Sequence, residues 1–199
     1  MRPALTLLAC AMLTAAEPRH IEGNRRSAVR VVIYEDLACS DCANFRAVMD
    51  EALLPRFAAT VAFEHRDFPL PKHVWARRAA MAARHFERVN GEVSVAWRRF
   101  ALKNLREITD ANFNEYLERF AREQKADAAA ALKALADPAL AAAVEQDYQE
   151  GVARGVSRTP TVLVNGAPFI EKFPLEEIVN AIAAETFQDR KSTRLKSRH

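Results

Sequence analysis

The stretch Val29-Arg30-Val31-Val32-Ile33-Tyr34, followed closely by Cys39-Ser40-Asp41-Cys42, decides the fold of this chain. The first run has the density of β-branched residues typical of a buried strand. After the second cysteine, apolar residues recur at helical spacing, at Phe45, Val48, Met49, Ala52 and Leu53. We therefore expect Cys39 at the N-terminus of a helix, where unpaired N–H groups and the helix dipole stabilise a thiolate. A cysteine pair in that place can attack a disulfide and resolve the adduct, so the pattern predicts thiol–disulfide exchange.

Length and composition limit the classes of protein that the chain can belong to. Its 199 residues, half of them apolar, can bury one core with an elaboration, and three cysteines are too few for a disulfide-dense scaffold. The net charge of +3 comes from the two ends, because the last eleven residues carry five Lys/Arg against one Asp and Arg2 adds another charge. The body is nearly neutral, so we expect neither nucleic acid nor an anionic membrane as a partner.

The N-terminus resembles a short secretory signal in its layout. Arg2 precedes an apolar stretch over residues 4–13, and Thr14-Ala15-Ala16 offers small residues for cleavage after Ala16. The apolar stretch is too short for a membrane-spanning helix. The alternatives are the start of a cytosolic protein, or lipid attachment at Cys10, which we disfavour because only nine residues precede it. We expect residues 1–16 to be removed and the chain to be exported, to the periplasm or another extracytoplasmic place, where disulfides persist.

The rest of the chain predicts an order of elements. Residues 17–27 read as a linker, the first strand and helix follow, and residues 60–68 alternate as a second strand that ends at Pro69-Leu70-Pro71. From residue 72 to about 154 the pattern is helical, which predicts four or five short helices. Residues 161–164 predict a third strand, and Asn165-Gly166 predicts a hairpin turn after it. Pro174 marks the start of a last helix.

These elements predict an α/β fold, a thioredoxin-like mixed sheet with an inserted α-helical domain. The predicted thioredoxin-like domain comprises residues 28–71 and 156–188, and the inserted helical domain comprises residues 72–155. The basic tail, residues 189–199, is predicted to be disordered. Trp75, Trp97, Phe113 and Phe120 are predicted to pack inside the helical block, and the pair Arg98-Arg99 to lie on a solvated face.

Three separate motifs resemble those of the DsbA-like family of thiol–disulfide oxidoreductases with a thioredoxin fold. They are the segment 34–42 around the cysteines, Arg66-Asp67-Phe68-Pro69-Leu70 after the second strand, and the segment 155–161 with Thr159-Pro160-Thr161, followed by Val164-Asn165-Gly166. The resemblance covers residues 29–187. It implies a protein-disulfide oxidoreductase in which Cys39 is the exposed nucleophile and Cys42 the resolving thiol.

The same resemblance implies a substrate-binding role for Thr159 and Pro160. It places a cis peptide bond between them, facing the cysteines, where backbone groups pair with an extended substrate segment. The helical block then overhangs the site and shapes a groove for unfolded polypeptide. The partners implied are polypeptides that carry cysteines and an unidentified redox partner, and no cofactor is expected.

The chain departs from the family pattern at positions that tune the redox chemistry. Ile33 stands where the better-known oxidases have a buried acid, and Glu35 on the same strand face is the expected substitute. Ser40 and Asp41 replace the proline and histidine of the strongest oxidants. The helix end stabilises an anion by roughly 0.3–2 kcal/mol, and the Asp41 carboxylate, about 6 Å away, opposes this by roughly 0.7 kcal/mol in water-like screening. We therefore expect a pKa for Cys39 only moderately below that of free cysteine, and a weaker oxidant.

Other interpretations of the cysteine pair stay open. A reductase or isomerase is the alternative within the class, and a non-catalytic, peptide-binding chaperone module is the alternative outside it. A static structural disulfide would need no exchange at all. A zinc site at the cysteines would need two further ligands, and the sequence has no second Cys-x-x-Cys or His-x-x-His pair, so no metal is expected.

Overall fold

The structure, a computed structural model, describes residues 19–196 of the chain. The predicted signal peptide, its cleavage point after Ala16 and Cys10 lie outside the described residues. Within residues 19–196, none of the helices has the length and apolar character needed to cross a membrane.

The described part of the chain contains a mixed sheet of five strands. In chain order they are β1 (Ile21–Gly23), β2 (Arg30–Glu35), β3 (Ala62–Asp67), β4 (Thr161–Val164) and β5 (Ala167–Ile170). The order across the sheet is β1-β3-β2-β4-β5. β2 and β3 are parallel and the other pairs are antiparallel. This is the predicted mixed α/β fold, and β2 lies at its centre and leads to the cysteines.

The helices follow the predicted order. They are α1 (Ser40–Val48), α2 (Leu54–Phe57), α3 (Ala76–Val89), α4 (Gly91–Lys103), α5 (Phe113–Glu123), α6 (Ala128–Ala134), α7 (Pro138–Ala153) and α8 (Leu175–Lys196). A π-helical segment, Met49–Leu53, joins α1 to α2 next to Pro55, which has no N–H to donate into the ladder. Five helices, α3 to α7, fill the predicted helical block. Whether this block is a separate domain with the predicted boundaries stays a prediction.

Two predictions about irregular segments are wrong. Residues 17–27, predicted as a linker, include β1, which pairs antiparallel with β3. β1 carries no apolar alternation because the buried side chain of Glu22 is held by His65 and Arg46. The tail from residue 189, predicted to be disordered, continues α8 as far as Lys196, since Arg and Lys favour helix and no Gly or Pro follows Pro174.

Two apolar clusters meet at the cysteines. One packs α1 and α8 on the sheet, around Ile33, Phe63 and Ile178. The other fills the helical block, and the four aromatic residues predicted to pack there are all buried. Cys39 and Cys42 belong to the second cluster, so the cysteine pair lies where the sheet and the helical block come together.

Buried ion pairs join the sheet to the helical block. Asp67 at the end of β3 accepts hydrogen bonds from Arg84 Nε at 2.6 Å and from Arg98 Nη2 at 3.0 Å. Arg98 also donates to Glu35 at 2.7 Å. Arg98 is 3% exposed, so its predicted place on a solvated face is wrong. Helical periodicity alone could not reveal that two carboxylates from the sheet face this guanidinium.

Candidate active site

Cys39 is the N-cap residue of α1. Its backbone is extended, with φ −95° and ψ 127°, and its N–H donates to Asp36 O at 3.1 Å. The Asp36 side chain closes the same turn, because Oδ1 accepts from Ala38 N–H at 2.7 Å. The short turn between β2 and α1 therefore sets Cys39 at the helix N-terminus, as its sequence position predicts.

The loop before β4 faces this cysteine. The Thr159–Pro160 peptide bond is cis in the structure. Cys39 Sγ lies 3.4 Å from Thr159 O, within the distance of a thiol–carbonyl hydrogen bond. The fold thus brings together two motifs that lie 120 residues apart in the sequence. Cys39 is 7% exposed, so it is more covered than the family resemblance implies.

The surroundings of Cys39 lower the pKa of its thiol to about 5. The largest cause is the hydrogen bond from the Cys42 thiol, while burial opposes it. The backbone N–H groups of Cys42 and Asp41 lower the pKa further. The shift is larger than the helix end and the Asp41 charge predict, because the hydrogen bond from the second thiol adds to them.

Cys42 has the opposite environment. It is 2% exposed, and burial raises its pKa well above that of an ordinary thiol, with the interaction with Cys39 and the charge of Glu35 adding to the effect. The backbone N–H of Asp36 donates to Cys42 Sγ at 3.4 Å. At neutral pH the pair is therefore asymmetric, with an ionised Cys39 and a protonated Cys42.

Glu35 does not fit the role of a proton acceptor for Cys42. Its carboxylate binds His65 Nδ1 at 2.8 Å and Arg98 Nη1 at 2.7 Å. Although burial alone would raise it, these cations hold the pKa of Glu35 at about 2. Glu35 stays ionised, and its effect on the site is to raise the pKa of Cys42 by its charge.

Asp36 and His73 form a polar contact that the predicted site residues do not include. The Asp36 carboxylate is buried, and Oδ2 accepts from Leu70 N–H at 2.7 Å and contacts His73 Nδ1 at 2.8 Å. Burial raises the pKa of Asp36. His73 carries no local signal in the sequence because it comes from the loop after β3.

Ser40 and Asp41 lie at the surface of the site. Ser40 is exposed, and the Asp41 carboxylate lies 4.0 Å from Lys172 Nζ. With Cys39, His73 and Thr159 they line a cleft of about 490 Å³. Two neighbouring clefts share lining residues with it and contain Val74 and Leu175, which are 70% and 42% exposed.

Fold and site together define the class of the protein: a thioredoxin fold with a Cys-x-x-Cys pair at the first helix N-terminus and a cis-proline loop opposite. The chain matches the thioredoxin family over residues 15–184 and belongs to that family. No curated protein sequence matches it.

Solved structures of DsbA-like proteins share this fold. Wolbachia pipientis alpha-DsbA1 superposes with a TM-score of 0.74 at 15% identity, over 91% of this chain and 97% of that one. A thioredoxin-like oxidoreductase from Silicibacter pomeroyi gives 0.70 at 21% identity, over 84% and 91%. BdbD from Bacillus subtilis gives 0.66 at 20% identity, over 84% and 92%. The predicted likeness to DsbA-like proteins is confirmed at the level of the fold.

Proposed function

We propose that the protein exchanges disulfides with exported polypeptides, with Cys39 as the nucleophile and Cys42 as the resolving thiol. One observation carries this proposal: Cys39 Sγ has a pKa of about 5 and lies 3.4 Å from Thr159 O, beside an open cleft. A thiolate held beside a substrate-sized cleft is the arrangement that disulfide exchange requires.

In the oxidising direction the enzyme begins with a Cys39–Cys42 disulfide. A substrate thiolate attacks Cys39 Sγ, the Cys39–Cys42 bond breaks, and its electron pair leaves on Cys42 Sγ, which then takes a proton. A second substrate thiolate attacks the first substrate sulfur, forms the substrate disulfide and expels Cys39 as a thiolate. Two substrate thiols are oxidised and the enzyme disulfide is reduced to two thiols.

The two cysteines differ as leaving groups in these two steps. Cys42 is a poor leaving group because of its raised pKa, and the Asp36 N–H at 3.4 Å offsets this by stabilising the developing thiolate. Cys39 is a good leaving group in the second step because its pKa is low. The low pKa therefore favours the oxidising direction, and a disulfide-bearing redox partner must restore the enzyme disulfide.

The shape of the cleft favours an extended polypeptide as the substrate. Thr159 lines the cleft, and a substrate segment that pairs with its backbone would add in the manner of strand addition. Val74 and Leu175, in the neighbouring clefts, offer exposed apolar contacts. We expect such a surface to accept a broad range of unfolded substrates.

A reductase or isomerase is the second candidate within this class. It is favoured by Ser40-Asp41 between the cysteines, because the Asp41 carboxylate opposes a negative charge on the neighbouring sulfur. In that direction Cys39 attacks a substrate disulfide and Cys42 resolves the mixed disulfide.

Exchange activity is tested with reduced, unfolded ribonuclease and the oxidised protein. We expect Cys39→Ser to abolish disulfide formation. Cys42→Ser, which lacks the resolving thiol, should accumulate a mixed disulfide when it is given a substrate that carries a disulfide, because Cys39 attacks that disulfide and expels one substrate thiolate. Ser192→Ala, at an exposed position of α8, is the control and should retain activity. Full refolding by Cys39→Ser would contradict the proposal, and suppression of aggregation without exchange would favour the non-catalytic chaperone module.

Export is tested separately. The proposal of a periplasmic location rests on residues 1–16, which carry the pattern of a signal peptide. We expect the protein from the extracytoplasmic fraction of a bacterial host to begin at Glu17. An intact N-terminus in the cytosolic fraction would contradict export and would leave the exchange chemistry unaffected.

A further inference from the structure

We propose that His20, Glu22 and His65 bind one Zn²⁺ ion at the edge of the sheet, in a site separate from the cysteine pair. Glu22 lies on β1, His20 directly precedes that strand, and His65 lies on β3. One ligand-type atom from each residue lies within 4.8 Å of the other two. His20 is 6% exposed and His65 1%, so both imidazoles are withdrawn from water.

His20 presents a buried nitrogen that has no hydrogen-bond partner among the described residues. Its Nδ1 lies 2.6 Å from Glu87 Oε2, so Nδ1–H donates to that carboxylate. Nε2 is then left as a lone pair, and it is buried and unpartnered. A buried acceptor without a partner costs free energy, and a metal ion is a partner that would remove this cost.

His65 shares the carboxylate at Nδ1 but differs at Nε2, which is already hydrogen-bonded to Glu22, so a zinc ion has to displace the Nε2 proton. Its Nδ1 lies 2.8 Å from Glu35 Oε1, and its Nε2 lies 3.0 Å from Glu22 Oε1. The rings of the two histidines lie 5.2 Å apart between centroids. Each imidazole is thus held by a carboxylate at Nδ1, which is how proteins orient histidines whose Nε2 binds zinc.

The charges around the three residues nearly balance. Glu22 also contacts Arg46 and Arg99, and Arg98 binds Glu35, so the cluster already contains guanidinium groups. A fourth guanidinium, from Arg25, contacts Glu87, so four guanidinium groups stand against four carboxylates, from Glu22, Glu35, Asp50 and Glu87. An ion between His65 and Glu22 takes the place of the hydrogen that now joins them, and the arginine contacts hold the Glu22 side chain in position.

The donor set selects the kind of ion. Two imidazole nitrogens and one carboxylate oxygen suit Zn²⁺ far better than Mg²⁺ or Ca²⁺. Tetrahedral zinc places its ligand atoms roughly 3.4 Å apart, so binding has to draw together ligand atoms that now lie within 4.8 Å of one another. A cleft of about 920 Å³ reaches His20, Glu22 and Glu87 and leaves room for a water as the fourth ligand.

No sequence pattern predicts this site, because its residues lack the spacing of metal ligands. His20 and Glu22 come from a segment predicted as a linker, and His65 lies more than forty residues later. The expectation that the chain binds no metal considered the cysteines and local histidine pairs only. Pairing of β1 with β3 is what assembles the three ligands.

The test uses the oxidised protein, in which the cysteines form a disulfide and offer no thiolate to zinc. Calorimetric titration with Zn²⁺ should give one ion per chain, and His20→Gln should weaken the affinity by more than tenfold. His85→Gln, which changes a half-buried histidine outside the cluster, is the matched control and should leave the affinity unchanged. Equal affinity of the wild type and His20→Gln would overturn the proposal.

A second measurement does not depend on a variant. Co²⁺ added to the oxidised wild type should produce the visible absorption of a four- or five-coordinate ion with nitrogen and oxygen ligands. The faint spectrum of hydrated Co²⁺ would overturn the proposal even if His20→Gln failed to fold. Zinc binding by the oxidised protein needs no exchange activity, so this proposal and the proposed function fail independently.

Discussion

At the scale of single residues, two chemically identical thiols acquire opposite pKa shifts. Cys39 receives hydrogen bonds from Cys42 and two backbone N–H groups, all of which favour its thiolate. Cys42 lies deeper, beside a negative charge, and its thiolate is disfavoured. The difference decides which sulfur attacks and which one resolves.

The first prediction concerns the ionisation of Cys39. Its alkylation by iodoacetamide, followed against pH in the reduced protein, should show a midpoint near pH 5, because the thiolate is the reacting form. Cys42→Ala removes the largest cause of the lowered pKa, the hydrogen bond from the Cys42 thiol, and should raise the midpoint. A wild-type midpoint at pH 8 or above would contradict the environment described for this sulfur.

Part of the site could be predicted from the sequence and part could not. Cys39, Cys42, Thr159 and Pro160 carry recognisable local motifs, and the structure brings all four together. The contact of Asp36 with His73 joins residues from two loops and depends on the path of the chain after β3. Such contacts follow from the fold and leave no pattern in the sequence.

At the scale of elements, buried ion pairs fix the helical block against the sheet. Arg98 on α4 binds Glu35 on β2 and Asp67 on β3, and all three side chains are buried. Both carboxylates keep low pKa values because of these cations. The same contacts fix the end of β2, from which the turn to Cys39 departs.

Arg98→Met should therefore destabilise the protein strongly. It leaves two buried carboxylates without a main partner, which costs about 3–5 kcal/mol of unfolding free energy. Urea denaturation followed by circular dichroism measures the change. Arg106→Met, at an exposed position after α4, is the control and should change the free energy by less than about 0.5 kcal/mol. A loss below 1 kcal/mol for Arg98→Met would contradict the role given to these ion pairs.

The elements themselves were predictable wherever apolar periodicity marked them. β2, β3, β4 and the hairpin turn carry β-branched runs or Asn-Gly, and the structure has them in the predicted order. β1 was missed because its inward side chain, Glu22, is a charged residue satisfied by distant partners. The end of α8 was missed because a basic, polar run lacks apolar periodicity even where it is helical.

At the scale of the whole molecule, the redox state of the cysteines is coupled to stability. The folded state lowers the pKa of Cys39 to about 5, from about 8.5 in an unfolded chain. A lowered pKa stabilises the reduced protein fully above the unfolded pKa, and this contribution is lost as the pH falls through the folded value. The disulfide form has no such contribution.

The stability of the two redox forms should therefore diverge as the pH rises. We expect the unfolding free energy of the reduced protein, relative to the oxidised protein, to increase between pH 5 and pH 8.5. Urea denaturation of both forms at several pH values, with Cys39→Ser as a control that lacks the titrating thiol, measures this. A difference that does not change over this range would contradict the coupling.

The most direct test of the account is the reduction potential of the Cys39–Cys42 pair, measured by equilibration with a glutathione redox buffer. A thiolate stabilised as described favours the reduced enzyme and makes the disulfide oxidising. We predict a potential between that of thioredoxin, about −270 mV, and that of DsbA, about −120 mV. A value at or below that of thioredoxin would contradict an oxidising role and would identify the protein as a reductase.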